Sequence, residues 1–465
     1  MNFIDEGEVC SALEDGESPS EESVRSILRK ALKLRGLGLD DAAALLAVDS
    51  GSTALMRELA STAFAIKKRI YGNRLVLFAP LYVSNHCSND CLYCGFRRSN
   101  KDMERKALTD WEVRREVGIL ERQGHKRLLM LMGEHFGKYS FDDFLRALKI
   151  AYSVTTKPRG EIRRINVEIP PLSVGDFKRL KQAGIGTYTM FQETYHEKTY
   201  KKMHPSGPKS DYCWRLEAMD RAQTAGIRDV GIGVLFGLYD YKFEVLSLLM
   251  HAKHLEKRFK TGPHTISIPR LEPAQNAPAA NNPPHPVADG DFKKLVAVLR
   301  CCVPYTGMIL STRESPDMRR ELFHLGVSQI SAGSNTSPGG YSKRKRESGR
   351  GGQFAVSDSR PALVVIKDMM KEGFIPSFCT ACYRRGRTGE DFMELAKPGL
   401  IQMFCQPNAL LTLQEYLDDY GDEEAKSVGE GLIGKEAALI RPLKMRRSFS
   451  KKWEAIRDGK KDLYF

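Results

Sequence analysis

The sequence lacks any apolar run long enough to cross a bilayer. Its longest, such as Leu128 to Met132 and Val230 to Leu238, fall far short of the ~18 residues a membrane helix needs. It also lacks basic residues at its start. Met1 to Asp15 carries Asp5, Glu6, Glu8, Glu14 and Asp15 and neither lysine nor arginine. A signal peptide's cationic beginning and a transit peptide's arginines are both missing, so a cytoplasmic protein without a membrane partner is expected. Internal repeats are absent as well. Histidine is absent after His324, so a metal site in the last third of the chain must rely on cysteine or borrow a ligand from elsewhere.

What is present is an ordinary globular composition, 42% apolar and 28% charged. At 465 residues the chain exceeds the ~250–300 at which one core stops growing, so a large domain with appendages is expected. Lysine and arginine outnumber aspartate and glutamate 72 to 58, a net charge of +14. The excess is scattered. Its two denser runs, Lys343 to Arg346 and Lys444 to Lys452, read as solvated surface, and anionic small molecules or acidic proteins account for the charge as well as nucleic acid does. Nucleic acid is not the expected partner.

Residues 20–72 show helical periodicity, with Val24, Ile27, Leu28, Ala31 and Leu32 on one face and Leu55, Leu59, Ala63 and Ile66 on another. Eight short apolar runs follow as candidate strands: 75–83, 127–132, 165–169, 187–191, 230–235, 265–269, 308–312 and 327–332. Amphipathic stretches lie between most of them, at 111–123, 141–152, 174–183, 212–225, 243–255, 289–299 and 316–325. The first of these opens on a capping box, Thr109-x-x-Glu112. This alternation predicts an α/β fold, a parallel (β/α)8 barrel of the TIM type with its active site at the C-terminal ends of the strands. The Pro- and Asn-rich stretch 272–290 is expected to wrap the outside as a loop. A Gly-rich basic loop, 339–352, follows the eighth strand, and a last helix at 360–371 is expected to be capped by Asp358 or Ser359. The expected divisions are a helical lead-in (1–72), the barrel (73–372) and a C-terminal appendage (373–465).

The ten cysteines sort by position. Cys10, Cys213, Cys301 and Cys302 read as small buried hydrophobes. Cys87-Ser-Asn-Asp-Cys91-Leu-Tyr-Cys94 has C-x3-C-x2-C spacing just after the first strand. Three thiolates on one tight loop hold three irons of a cubane and leave the fourth open. A zinc site would normally close with a fourth ligand, for which His86 is the nearest candidate. The spacing, with Tyr93 before the last cysteine, resembles the signature of the radical S-adenosylmethionine (SAM) enzymes. That resemblance implies a [4Fe-4S] cluster whose open iron chelates SAM. It further implies that Gly133 and Glu134, ending the second strand, meet the SAM amino group. Glu168, ending the third, can reach the ribose, and the glycines from Gly231 to Gly237 would admit the adenine.

Cys379-Thr-Ala-Cys382 is followed by Cys405 after 22 residues. A second iron–sulfur cluster with an open iron is the reading preferred over zinc. Here the chain resembles a more specific family. Cys379-Thr-Ala-Cys-Tyr-Arg-Arg-Gly-Arg-Thr-Gly-Glu-Asp-Phe-Met and Cys405-Gln-Pro-Asn-Ala are similar to the C-terminal motif of HydG, the tyrosine lyase family that matures [FeFe]-hydrogenase. Phe191-Gln-Glu-Thr-Tyr, Met203-His-Pro-Ser-Gly-Pro-Lys and Gly262-Pro-His-Thr-Ile-Ser carry the likeness through the barrel, from about residue 20 to 435.

The resemblance implies cleavage of L-tyrosine to p-cresol and dehydroglycine at the barrel mouth. Carbon monoxide and cyanide then form at the second, auxiliary [4Fe-4S] cluster. They are collected on a labile fifth iron, carrying cysteine, as an Fe(CO)2CN unit for hydrogenase assembly. His264, at the start of the sixth strand, matches the histidine that holds that iron. A reductant such as ferredoxin or flavodoxin and other hydrogenase maturation proteins are the implied partners. Arg313, ending the seventh strand, is placed to clamp the tyrosine carboxylate, with Ser331 and Ser334 on the eighth lining the same pocket; a salt bridge to Glu314 is the alternative use of Arg313. Two other readings stand beside this one. One is the related tyrosine lyase of thiamine thiazole synthesis, which stops at dehydroglycine and lacks the second triad. The other is a basic RNA-binding protein with a C-terminal zinc module.

Overall fold

The structure is a computed structural model that describes residues 2–343 and 351–465. Most of the basic run at 343–346 and part of the loop at 339–352 lie outside the described residues. Four helices lead in, Glu6–Asp15, Glu21–Ala31, Leu39–Ala47 and Thr53–Tyr71. The first of them was not expected from the acidic N-terminal sequence.

Eight parallel strands then form a closed barrel: Arg74–Ser84, Arg127–Met132, Arg164–Glu168, Tyr188–Thr189, Val230–Gly233, Thr265–Ser267, Gly307–Leu310 and Gln329–Ser331. Closure is direct, because the eighth strand pairs with the first (Leu77↔Ile330). All eight candidate strands fall where β-branched and apolar residues cluster, since a parallel strand is covered on both faces. Their outward residues, among them Leu75, Leu77, Met130 and Val167, join one buried core under the surrounding helices. The inward residues alternate with them and define what the barrel can hold.

A ninth strand, Ile375–Ser377, is an addition that periodicity did not suggest. It pairs with the opening of the first strand (Arg74↔Ile375) before that strand passes to the second (Ala79↔Leu128). The chain therefore arrives at Cys379 directly beneath the barrel. Helices Gln402–Tyr420, Glu423–Ala437 and Leu443–Arg457 complete this end.

Several expectations are corrected. The expected helix at 212–225 is broken at Glu217 into Tyr212–Leu216 and Ala218–Thr224. The helix expected from Arg360 begins at Ala362 with Pro361 at its N-cap. Asp358 is not a cap: it pairs with Arg319 and Arg360 in the interior, where a carboxylate needs such partners. The stretch 272–290 is largely exposed and irregular, as a wrapping loop should be, but it is anchored at the mouth. It includes a single turn, Pro278–Asn281, whose Ala279 amide donates to the Leu92 carbonyl at 3.0 Å, and its alanines pack on Cys91 and Tyr93. Cys10 and Cys213 are exposed, and only Cys301 and Cys302 of the leftover cysteines are buried.

Candidate functional site

The interior of the barrel opens at both ends, and the same strands serve both. The first contributes Val76 to the lower cavity and Phe78, Pro80 and Tyr82 to the upper. The second contributes Arg127 below and Leu129 and Leu131 above. Alternation along each strand decides which residues point inward, and position along the strand decides which end they serve.

At the mouth, Cys87, Cys91 and Cys94 line a cavity of about 630 Å³ together with Gly133, Glu134 and Glu168. Their loop is held from several sides. The Ser88 amide donates to the Glu134 carbonyl at 2.8 Å, the Leu92 amide to the Met203 carbonyl at 3.0 Å, and Arg105 donates to the carbonyls of Asn85 and Phe96 at 2.8 and 2.7 Å. Gly133 is required by close approach, since a Cβ there would stand 2.3 Å from the His86 carbonyl oxygen. Asn89 donates to the Glu134 carboxylate at 2.6 Å, which fixes that side chain at the cavity wall. Tyr93 does not line this cavity. It is buried, and its hydroxyl pairs with Nε2 of His204 at 2.7 Å.

A second chamber of about 790 Å³ adjoins the first, sharing Tyr82, Leu131, Glu168 and Gln353 with it. It brings together Arg313, Ser331 and Ser334, although Ser334 lies beyond the end of the eighth strand rather than on it. Glu314 does not claim Arg313: it is paired with Arg270, whose Nε donates to it at 2.9 Å. The Arg313 guanidinium lies 3.4 Å from the centre of the Phe354 ring and has no carboxylate partner among the described residues. Burial, with the Glu193 charge nearby, pushes the Glu168 carboxyl up to about 7. Gly231 and Gly233 are both close-packed inside the barrel. Cβ atoms there would meet Thr265 Oγ1 at 2.4 Å and Phe191 Cδ1 at 2.7 Å, so both serve close packing within the barrel.

Three residues of the mouth cavity, Glu193, Lys209 and Arg215, were not singled out from the sequence. Glu193 has φ of +75°, a left-handed backbone that a glutamate rarely adopts, and such strain concentrates at functional sites. It is ion-paired to Lys209 and to Arg215, the latter at 3.3 Å. Burial opposes the charge of Glu193, but these two cations hold its carboxyl below the usual range. The only sequence signal was their position inside Phe191-Gln-Glu-Thr-Tyr and at the end of Met203-His-Pro-Ser-Gly-Pro-Lys.

At the barrel base, Cys379, Cys382 and Cys405 line a cavity of about 580 Å³, and His264 lies on the same wall. Cys405 comes from the helix Gln402–Tyr420, so the triad is gathered from two separate segments. His264 is fixed by its backbone, which donates to Val230 at 2.8 Å and accepts from Gly307 at 2.9 Å. Its Nδ1 has no hydrogen-bond partner and stands 3.6 Å from Asp229. Burial lowers its basicity, which leaves the neutral imidazole a metal can use. Arg74 and Arg127, also unforeseen, line this cavity. Arg127 donates to the Cys379 carbonyl at 3.0 Å, and the Nε of Arg74 has no partner.

Both triads fit an iron–sulfur cluster. Burial pushes the Cys94 thiol up to about 11 and the Cys382 thiol up to about 12, and it raises Cys91 and Cys379 as well. A bound metal would deprotonate them, as it does any coordinating thiol. Among the described residues no three His, Cys, Asp or Glu side chains gather tightly enough to hold a single ion.

Comparison with known proteins agrees with this geometry. The Radical SAM superfamily model matches residues 81–249, and the Biotin and Thiamin Synthesis associated domain model matches 267–375. The chain is 33% identical over 350 residues to 2-iminoacetate synthase of Escherichia coli, covering 75% of this chain and 89% of that one. A crystal structure of HydG, a maturase of the [FeFe]-hydrogenase, superposes with a TM-score of 0.96 at 49% identity over the full length of both chains. HydG from Carboxydothermus hydrogenoformans superposes at 0.83 with 38% identity, covering 96% of this chain and 97% of that one. A cysteine loop at a barrel mouth, a second cysteine triad at its base and these full-length superpositions together place the chain in the radical SAM superfamily and, within it, in the HydG family.

Proposed function

We propose that this protein is a HydG-type maturase that cleaves L-tyrosine at the barrel mouth and converts the dehydroglycine fragment at the barrel base. The observation that carries the reading is the placement of two cysteine triads at opposite ends of one barrel. A lyase that stopped at dehydroglycine would have no use for the lower one. When bound, the upper [4Fe-4S] cluster with SAM supplies the 5'-deoxyadenosyl radical, and the lower cluster supplies the iron at which carbon monoxide and cyanide are collected. An Fe(CO)2CN unit carrying cysteine leaves as the product for [FeFe]-hydrogenase assembly, and a reductant such as ferredoxin or flavodoxin feeds the upper site.

The chain's own residues position and exclude. Gly133 and Glu134 present a backbone and a carboxylate to the SAM amino group, and Glu168 with Glu193 offers acceptors to its ribose. Lys209 and Arg215 supply the positive charge that the SAM carboxylate needs. Arg313 clamps the tyrosine carboxylate in two-pronged fashion, with Ser331 and Ser334 donating beside it. Phe78, Tyr82, Leu129 and Leu131 provide apolar walls for the ring. Holding the amine beside the radical is most of what the protein contributes through positioning. Tyr93 acts from behind, through His204 and the packing of the cysteine loop. At the base, His264 offers a neutral nitrogen to the labile iron, and Arg74 and Arg127 favour anionic fragments.

The double variant Cys379→Ala, Cys382→Ala tests this reading on anaerobically reconstituted protein. It is expected to release p-cresol at near the unaltered rate while carbon monoxide falls to background. Carbon monoxide at the normal yield would overturn the assignment of the lower triad.

A further inference from the structure

The chemistry of the two cavities leaves unexplained a basic surface at the base of the molecule. The helix Leu443–Arg457 carries six cations (Lys444, Arg446, Arg447, Lys451, Lys452 and Arg457) against one acid, Glu454. None of the six is in an ion pair among the described residues. Lys444, Arg447, Lys451 and the following Lys460 are exposed. The lead-in helix Glu21–Ala31 behaves differently: Arg25, Arg29 and Lys30 are each paired with a carboxylate. Unpaired like charges on successive turns repel one another, and an isolated protein gains nothing from them.

The surface extends to the second cysteine triad. Lys452 donates to the Tyr464 carbonyl at 2.7 Å, and the Tyr464 ring lies under Arg384 and Arg385, at 4.4 and 5.2 Å, just past Cys382. Arg385 is exposed and likewise lacks an ion-pair partner among the described residues. Two leucines, Leu443 at the start of the helix and Leu439 in the turn before it, stand 57% and 60% exposed. An apolar spot flanked by unpaired cations has the anatomy of a protein interface.

We propose that this face docks an acidic protein at the end of the barrel that carries Cys379, Cys382 and Cys405. Positive charge without internal partners steers an oppositely charged surface and fixes its orientation. Membrane binding fits less well, because the apolar side of the helix is already committed. Phe449 and Ile456 are buried, and the Trp453 indole donates to Gln414 at 2.7 Å. Single-stranded nucleic acid fits less well too, since that same tryptophan is half-buried and no exposed aromatic on the helix offers a stacking platform. The inference stands on the surface alone and does not depend on the reaction assigned to either cavity.

The test uses full-length reconstituted protein and fluorescent poly-L-glutamate as the acidic probe, titrated at low and physiological salt. The triple variant K444E/R447E/K451E is expected to lose at least about tenfold in affinity, whereas K149E/K178E/K198E, with the same charge change on other exposed lysines, loses much less. SAM cleavage should be unaltered in both, which shows that the fold and upper site are intact. Equal losses in the two triple variants would overturn the proposal, since the attraction would then be the net charge alone. Tighter binding of a single-stranded oligonucleotide or of phosphatidylserine vesicles, through these same three residues, would overturn it in favour of nucleic acid or membrane.

Discussion

The two ends of the barrel hold the same number of cysteines in very different ways. At the mouth, Cys87, Cys91 and Cys94 lie on one loop of eight residues, braced by carbonyl contacts from Asn85, Phe96 and Glu134. At the base, Cys379 and Cys382 follow a strand added beneath the barrel, Cys405 comes from a later helix, and His264 belongs to the barrel itself. The mouth mixes charges, with Glu134, Glu168 and Glu193 facing Lys209 and Arg215. The base is lined by Arg74 and Arg127, with the Asp229 carboxylate set behind His264 at 3.6 Å. The proposed chemistry uses this difference: a mouth of mixed charge for the zwitterions SAM and tyrosine, and a cationic base for anionic fragments. A local loop sets the first site; the docking of the C-terminal helices onto the barrel sets the second.

This contrast can be broken most sharply at the mouth. Cys91→Ala should abolish both p-cresol and carbon monoxide, because two thiolates do not retain the cubane at a usable potential and everything downstream depends on the first cleavage. Measured p-cresol release in that variant would show that Cys91 does not hold the cluster needed for cleavage, and carbon monoxide without p-cresol would show that the two ends are not in series. Next in size, Arg313→Lys keeps the charge but loses the two-pronged geometry. Its apparent affinity for tyrosine should fall by about 10- to 100-fold with SAM cleavage largely retained, read by comparing KM for tyrosine with 5'-deoxyadenosine formation. The smallest effect is expected at the base. His264→Ala should leave the lower cluster's iron and sulfide content near normal and lower the yield of the Fe(CO)2CN product several-fold, since loss of one ligand loosens a labile iron before it empties a cluster. Infrared bands of bound carbon monoxide and cyanide, set against p-cresol from the same sample, would measure it.

The barrel was legible from its eight apolar runs because each strand is buried on both faces and leaves a dense local signature. The ninth strand was not. Ile375-Pro-Ser is too short to show a period and becomes a strand only through pairing with Arg74 to Val76. The break at Glu217 in the helix from Tyr212 was not legible either, because amphipathicity continues across it. Asp358, whose residue type suggests a cap, is drawn into the interior by Arg319. Among site residues, the cysteines, Gly133 and Glu134 stood out by spacing or by their position at a strand end. Glu193, Lys209, Arg215, Arg74 and Arg127 did not, because single charged residues in a basic sequence look like surface until the fold points them inward.

The sequence by itself determined the strand order, the two cysteine spacings and the family likeness. These depend on neighbours along the chain: burial of short apolar runs, and thiols held within one loop or one turn. Only the tertiary structure decided that the two triads sit at opposite ends of one interior. It also freed Arg313 by giving Glu314 to Arg270, and it turned Tyr93 away from the mouth cavity toward His204. It gathered a cationic chamber around Cys405. The physical reason is that partner choice for a charged or polar side chain is settled by which groups are desolvated together, and closure of the barrel brings together residues hundreds of positions apart.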